Sequence, residues 1–185
     1  SDSFRDRFLS DTDARWVLIT GHRRESFGSG FENLCTAIRH LADAHPDVGF
    51  LYPVHLNPRV REPVDRILGT HDRIELIEPA SYEHFVWLMA NCRFILSDSG
   101  GVQEEAPSLG KPVLVTRETT ERPEGVDAGT CRLVGTDPQA IGAEAATLLT
   151  NDYDYAHRTA IKNPYGDGDA AIRIREVLEG DLADA

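Results

Sequence analysis

The strand–turn–helix–strand pattern of residues 94–115 limits the fold of this chain more than any other segment does. The apolar run Phe94–Leu96 enters a Ser/Asp/Gly turn, which opens a helix that carries the adjacent carboxylates Glu104 and Glu105. Gly110–Pro112 ends that helix before a second apolar run, Val113–Val115. Because a strand, a glycine turn, a short helix and another strand follow one another directly, the segment predicts half of a parallel α/β unit.

The same alternation runs along the rest of the chain. Apolar runs predict strands and helical spacing predicts helices: strands at 15–20, 48–54, 73–77, 94–96, 113–115 and 131–134, and further helices at 31–44, 58–68, 81–89, 137–149 and 169–178. Strands that are mostly continuous apolar runs are typical of a parallel sheet with helices on both faces. We therefore predict a single doubly wound, Rossmann-like α/β domain over residues 1–185, with residues 1–13 as a linker.

Charge and composition restrict the partners of the chain. Its 31 acidic and 19 basic side chains give a net charge of −12, which would repel nucleic acid and anionic membranes. No apolar run approaches the roughly 20 residues that a membrane span needs. Cys35, Cys92 and Cys131 are odd in number and widely spaced, so we interpret them as reduced core thiols of a cytoplasmic protein. No cluster with metal-ligand spacing is apparent, and no metal is expected.

The turn Ser99-Gly100-Gly101 is the first candidate binding site. Backbone N–H groups at a helix N-terminus lack intrahelical partners, and the helix dipole favours a phosphate group there. Glu105 lies about one helical turn further on, where its carboxylate can accept hydrogen bonds from sugar hydroxyls. The pattern indicates a nucleotide-diphosphate site, although a Ser-Gly-Gly turn before a helix is also ordinary loop chemistry.

Five strings in the chain resemble, in the same order, those of the non-hydrolysing UDP-N-acetylglucosamine 2-epimerases: Gly21–Glu25, Val54–Pro58, Ser97–Val115, Thr119–Glu124 and Asn163–Gly168. The resemblance covers roughly residues 14–178. It implies the C-terminal, UDP-holding half of a two-domain GT-B fold. The N-terminal half, whose acidic residues are assigned the proton transfers at the sugar C2, has no counterpart in this sequence.

The resemblance also implies roles for residues near the ends of the first two strands. It assigns His22 to the UDP moiety and to assistance of C1–O cleavage, and it assigns Arg23 and His55 to a second, allosteric sugar-nucleotide site. From the residues alone, His22 could also be a loop histidine that is satisfied by backbone groups. Arg23 could pair with Glu25 or with another carboxylate as part of the scaffold.

Two further residues are matched to the nucleotide. Arg122 is implied to contact the phosphates or the base, and the alternative is that the charged loop around it is a solvated surface. Phe85 is implied to line the uracil pocket, and its helical spacing with Leu88 and Met89 would also suit a core residue. Asn163–Gly168 is interpreted either as a helix-capping loop or as a ligand contact.

The implied activity of the full-length protein is the interconversion of UDP-GlcNAc and UDP-ManNAc by elimination and re-addition of UDP, without a cofactor. The expected partners are UDP and UDP-N-acetyl sugars, and the full-length protein is expected to be a homodimer. Three alternatives stay open. They are the UDP-holding half of a GT-B glycosyltransferase, an epimerase for another UDP-N-acetyl sugar, and a binding module without turnover.

Overall fold

A computed structural model describes Leu9, residues 15–21 and residues 28–183 of the chain. The elements in chain order are β1 (Arg15–Thr20), α1 (Ser29–Ala44), β2 (Val48–Pro53), α2 (Pro58–Leu68), β3 (Ile74–Ile77), α3 (Tyr82–Asn91), β4 (Phe94–Ser97), α4 (Gly100–Glu105), a 3-10 turn (Ala106–Leu109), β5 (Val113–Val115), α5 (Pro123–Ala128), β6 (Cys131–Leu133), α6 (Pro138–Thr150), α7 (Asp152–Thr159) and α8 (Ala170–Ala183).

The strands form one sheet in the order β3-β2-β1-β4-β5-β6. Every neighbouring pair is parallel, with Val17 opposite Phe50 in β2 on one side and opposite Phe94 in β4 on the other. The predicted doubly wound parallel sheet is therefore confirmed. The direction in which successive strands are added reverses between β1 and β4, and this is where open α/β sheets bind ligands.

Alternate strand residues point to opposite faces of the sheet, and each face has its own apolar cluster. Val17 and Ile19 belong to the first core cluster, which contains buried residues of α1, α2 and α6. Trp16 and Leu18 belong to the second core cluster, which contains buried residues of α3 and α4. Helices therefore cover both faces, which is why the strands are apolar at nearly every position.

Side-chain caps fix the starts of four helices, including α7, which Asn151 caps through the backbone N–H of Asp154. The Asn57 side chain accepts a hydrogen bond from the backbone N–H of Arg59 at 3.0 Å, and Pro58 occupies the first turn of α2. Ser81 caps α3 through the backbone N–H of His84, and Asp137 caps α6 through that of Gln139 at 2.8 Å. Short polar side chains are favoured at these positions because they satisfy first-turn donors.

The structure differs from the predicted elements in four places. The helix after Gly101 is only Gly100–Glu105 and continues as a 3-10 turn that contains Pro107, since proline cannot donate the next helical hydrogen bond. α5 and α7 were not predicted, and α7 buries no residue, so it has no apolar period to detect. α8 extends to Ala183 instead of ending at residue 178. Of the predicted linker, only Leu9 is described, and it packs against the second core cluster.

Candidate functional site

The chain that leaves β4 is held at the carboxyl end of the neighbouring strand β1. The backbone N–H of Asp98 donates to the carbonyl of Thr20 at 3.3 Å. The Ser97 side chain turns back and accepts a hydrogen bond from the backbone N–H of Ser99 at 2.9 Å. Ser97 and Asp98 are both buried. These contacts place the Ser99-Gly100-Gly101 turn, and with it the first turn of α4, at the edge where the strand order reverses.

A guanidinium group covers this turn. A Cβ atom at Gly100 would lie 2.7 Å from Cζ of Arg122, so the guanidinium rests directly on this glycine and would have to move if a side chain were added. Arg122 donates from Nε to Oε1 of Glu104 at 2.7 Å, and its Nη1 lies 3.6 Å from Oε2 of Glu121. The structure thus brings together Gly100 and Arg122, which are 22 residues apart in the sequence. A fixed cation and the first-turn N–H groups of α4 lie side by side.

The Glu105 carboxylate occupies the other side of the same turn. A Cβ atom at Gly101 would lie 3.6 Å from Oε1 of Glu105 and 3.9 Å from Oγ of Ser99. Oε2 of Glu105 accepts a hydrogen bond from the exposed Tyr82 hydroxyl at 3.1 Å, and this bond raises the pKa of Tyr82. Glu105 therefore presents acceptor oxygens next to the cationic turn. Tyr82 was not predicted, and its only signal was its place directly after the helix cap.

Phe85 lies on α3, one turn after Tyr82. Its ring is partly buried and packs against the second core cluster. The core interpretation of Phe85 therefore holds for part of the ring, and the rest of the ring is exposed. Because Tyr82 contacts Glu105, α3 lies next to the glycine turn and brings Phe85 to the same region.

Gln103 links the turn to the Arg122 loop, and sequence reasoning missed it. Its side chain is completely buried, donates to the Ser99 carbonyl at 3.2 Å and accepts from the Thr120 hydroxyl at 2.7 Å. Arg117 and Glu121 form a bidentate pair within the same loop, at 2.8 and 2.9 Å. The charged loop thus has two parts, one pair that is neutralised internally and Arg122, which reaches across to α4.

The segment Asn163–Gly168 contacts the site from a third direction. The Asn163 amide donates to the Glu104 carbonyl at 3.1 Å and to the Ser108 hydroxyl at 2.6 Å. Gly166 and Gly168 have φ angles of 124° and 93°, in the region that glycine favours. The segment is therefore more than a helix cap. It contacts the site, because Asn163 holds the backbone of α4.

Of the three histidine and arginine candidates near the ends of β1 and β2, the structure describes only His55. His55 is exposed directly after β2, and its Nδ1 accepts a hydrogen bond from the backbone N–H of Asn57 at 3.1 Å. It lies at the ligand-binding edge, but β1 separates its strand from β4. His22 and Arg23 lie outside the described residues. Gly21, just before them, is held by the buried Tyr52 hydroxyl, which donates to its carbonyl at 2.9 Å.

The other groups with potential reactivity do not form a second centre in the described part of the chain. Burial raises the pKa of the Cys35 and Cys92 thiols to about 12 and that of Cys131 to about 11, and all three belong to the core clusters. Within the described ranges, three or more His, Cys, Asp or Glu side chains nowhere gather in a way that could hold a metal ion. Every described helix is too short or too polar to cross a lipid bilayer.

A family model and a curated relative both identify the chain as similar to UDP-N-acetylglucosamine 2-epimerases. The family model for UDP-N-acetylglucosamine 2-epimerase matches residues 2–179. The UDP-N-acetylglucosamine 2-epimerase of Escherichia coli strain K12 is 58% identical over 169 residues, which are 91% of this chain and 45% of the relative.

Two solved structures share the fold closely. The S. aureus MnaA–UDP co-structure has a TM-score of 0.90 at 45% identity and covers 99% of this chain and 49% of that one. The UDP-GlcNAc 2-epimerase from Neisseria meningitidis bound to UDP-GlcNAc has a TM-score of 0.89 at 46% identity, covering 97% of this chain and 48% of that one. The chain therefore spans about half the length of the relatives that it matches.

The packing of Arg122 on Gly100 can be tested by Gly100→Ala. The new methyl group would displace the guanidinium, because the atom it meets is the end of a flexible side chain. We expect the Arg122 Nε–H resonance, which reports the bond to Glu104, to shift or broaden in the NMR spectrum. The free energy of unfolding should change by less than about 1 kcal/mol, since alanine is the better helix former.

The matched control is Gly142→Ala in the middle of α6, where a Cβ atom would meet nothing within 4 Å. It should leave the Arg122 resonance unchanged. An unchanged resonance in Gly100→Ala would show that the guanidinium does not rest on Gly100.

Proposed function

Because the chain belongs to the UDP-N-acetylglucosamine 2-epimerase family, we propose that it is the UDP-binding half of an enzyme that interconverts UDP-GlcNAc and UDP-ManNAc. The observation that carries the proposal is the meeting of the bare Gly100 turn, Arg122 and Glu105 at the point where the strand order reverses. Relatives of the same fold were solved with UDP and with UDP-GlcNAc, which supports it. In this proposal residues 1–185 are one domain, the C-terminal half of a GT-B enzyme.

The proposed pose follows the charges of the site. The diphosphate lies against the Ser99-Gly100-Gly101 turn, where N–H donors and the Arg122 guanidinium can bind phosphate oxygens. The ribose hydroxyls donate to Glu105, and the uracil ring lies against the exposed part of Phe85. The contact between the Tyr82 hydroxyl and Glu105 must open or be shared when the ribose binds, because both use the same carboxylate.

The proposed chemistry has two steps. In the first, a base removes the C2 proton and the C1–O bond breaks, which gives a 2-acetamidoglucal and UDP. In the second, UDP adds back at C1 while C2 receives a proton on the opposite face. In both steps this half holds UDP and stabilises the charge that its diphosphate gains, which is electrostatic catalysis. The acid and base lie in the other half, and the scheme needs no cofactor or metal.

The residues after β1 and β2 receive separate roles. His22 follows β1 and is proposed to donate a hydrogen bond to the departing diphosphate. Arg23 and His55 are proposed to bind a second sugar nucleotide that activates the enzyme. His55 is exposed at the binding edge but beside a different strand from the Gly100 turn, which supports a second site.

The proposal extends to the partners of the protein and to one alternative class of enzyme. The acidic chain is proposed to bind neither nucleic acid nor membranes, and the full-length protein is proposed to be a cytoplasmic homodimer. A GT-B glycosyltransferase would use the same kind of UDP-holding half. Product analysis of the full-length protein separates the two, since an epimerase releases a free epimeric UDP-sugar and a transferase glycosylates an acceptor.

The main experiment is to give the 185-residue chain UDP and UDP-GlcNAc. We expect calorimetry to detect UDP binding, and proton NMR in deuterated water to show neither UDP-ManNAc nor deuterium at C2. The full-length E. coli relative is the positive control for turnover. Absence of UDP binding would contradict the proposed site, whereas turnover by this chain would contradict the placement of the acid and base in the other half.

Glu105→Ala tests the ribose contact. If the carboxylate accepts both ribose hydroxyls, its loss should weaken UDP binding by about 1.5–3 kcal/mol, the range for hydrogen bonds to charged groups. The loss should be much smaller with 2′,3′-dideoxy-UDP, when both ligands are compared by calorimetry. Glu62→Ala, at an exposed position on α2, is the matched control. Equal losses with the two ligands would assign Glu105 to structure.

The division between His22 and His55 is tested in the full-length protein. His22→Ala should lower turnover at every substrate concentration, because it removes stabilisation of the departing diphosphate. His55→Ala should mainly abolish activation by added UDP-GlcNAc when the reaction starts from UDP-ManNAc, and Arg23→Ala should do the same. By linkage, both should also lose the second binding event. Intact activation with weakened UDP binding would place His55 in the primary site.

A further inference from the structure

Arg122 is an N-cap residue whose own side chain does not cap its helix. It is the residue before α5 (Pro123–Ala128), and no side-chain hydrogen bond from it caps the helix. Serine, threonine, aspartate and asparagine are favoured at this position, because their oxygens accept from first-turn N–H groups. The Arg122 guanidinium instead reaches across to Gly100 and Glu104. The first turn of α5 therefore needs an acceptor from elsewhere.

Tyr165 supplies that acceptor from 40 residues away. Its hydroxyl accepts a hydrogen bond from the backbone N–H of Gly125 at 3.0 Å and donates to the carbonyl of Arg122 at 3.2 Å. The fit is close, since a Cβ atom at Gly125 would lie 2.8 Å from the Tyr165 hydroxyl and 3.0 Å from Cys131 Sγ. One hydroxyl thus caps α5 and holds the backbone of the residue before it.

The other backbone group of Arg122 is held as well. Its N–H donates to the Thr120 hydroxyl at 3.1 Å, and Thr120 donates in turn to the buried Gln103. Asn163 accepts from the backbone N–H of Tyr165 at 3.0 Å and donates to the carbonyl of Glu104. The Asn163–Tyr165 segment therefore touches the backbones of both members of the Arg122–Glu104 ion pair.

We propose that Tyr165 is a positioning residue, whose hydroxyl fixes the backbone of Arg122 so that the guanidinium stays over Gly100, ready for the diphosphate. This role rests on the proposed UDP site. Without the hydroxyl, the backbone of Arg122 is released on one side and α5 loses its cap. The arginine then has more conformers to lose when it binds an anion, and UDP affinity falls.

Tyr165→Phe removes only the hydroxyl, and a double-mutant cycle separates positioning from general stability. We expect Tyr165→Phe to weaken UDP binding about five- to tenfold by calorimetry, and to have no further effect when Arg122 is already alanine. Tyr153→Phe, at a position that is 83% exposed on α7, should leave UDP binding unchanged. An equal loss in both backgrounds, or no loss in either, would overturn the proposal.

A readout without UDP keeps this test independent of the proposed function. The Arg122 Nε–H resonance reports the guanidinium position directly, because that atom donates to Glu104. Tyr165→Phe should shift or broaden this resonance, and Tyr153→Phe should not. If the chain fails to bind UDP but the resonance responds, the UDP site is wrong and the hold on Arg122 is real. An unchanged resonance would overturn the positioning role, whatever the affinity for UDP.

Discussion

The reversal of strand order between β1 and β4 is the constraint on which the site depends. The helix after β1 packs on one face of the sheet and the helix after β4 packs on the other. Two neighbouring strands whose connections leave in opposite directions open a crevice between their carboxyl ends. The Gly100 turn lies there because β4 pairs directly with β1 and the Asp98 N–H is bound to Thr20. If β4 did not pair with β1, the same glycine turn would lie at the edge of the sheet without this crevice.

Much of this arrangement could be predicted, because its signals are local. The apolar strands, the capped helices and the glycine turn all have patterns within a few residues, and these fixed the fold class and the predicted place of Ser99, Gly100 and Gly101. Pairing Arg122 with this turn needed the family resemblance, since nothing in a charged loop shows which of its arginines leaves it. Arg117 closes on Glu121 within that loop, while Arg122 crosses to Glu104.

What the sequence did not reveal are side-chain-to-backbone contacts over long separations. Gln103, Thr120 and Tyr165 lie within recognised strings, but no role was assigned to them and they carry no periodicity. They nevertheless tie the turn, the loop and the C-terminal segment together. Such bonds depend on distances that exist only after the sheet has formed. The helix α7 went undetected for a different reason. It buries no residue and so lacks the apolar spacing that identifies other helices.

The fixed backbone of Arg122 answers a problem that the acidic composition creates. The chain carries a net charge of −12, and two carboxylates, those of Glu104 and Glu121, lie within 4 Å of this guanidinium. In the proposed site, a diphosphate has to compete with both carboxylates for the Arg122 guanidinium. Glu104 takes the Nε donor, and a guanidinium has five N–H donors, so the bond to Glu104 does not exhaust it. A loosely held arginine could turn to Glu121, whereas an arginine whose N–H and carbonyl are both bound keeps its position over Gly100. In the proposed site, a rigid backbone at Arg122 therefore matters more for anion binding than added positive charge would.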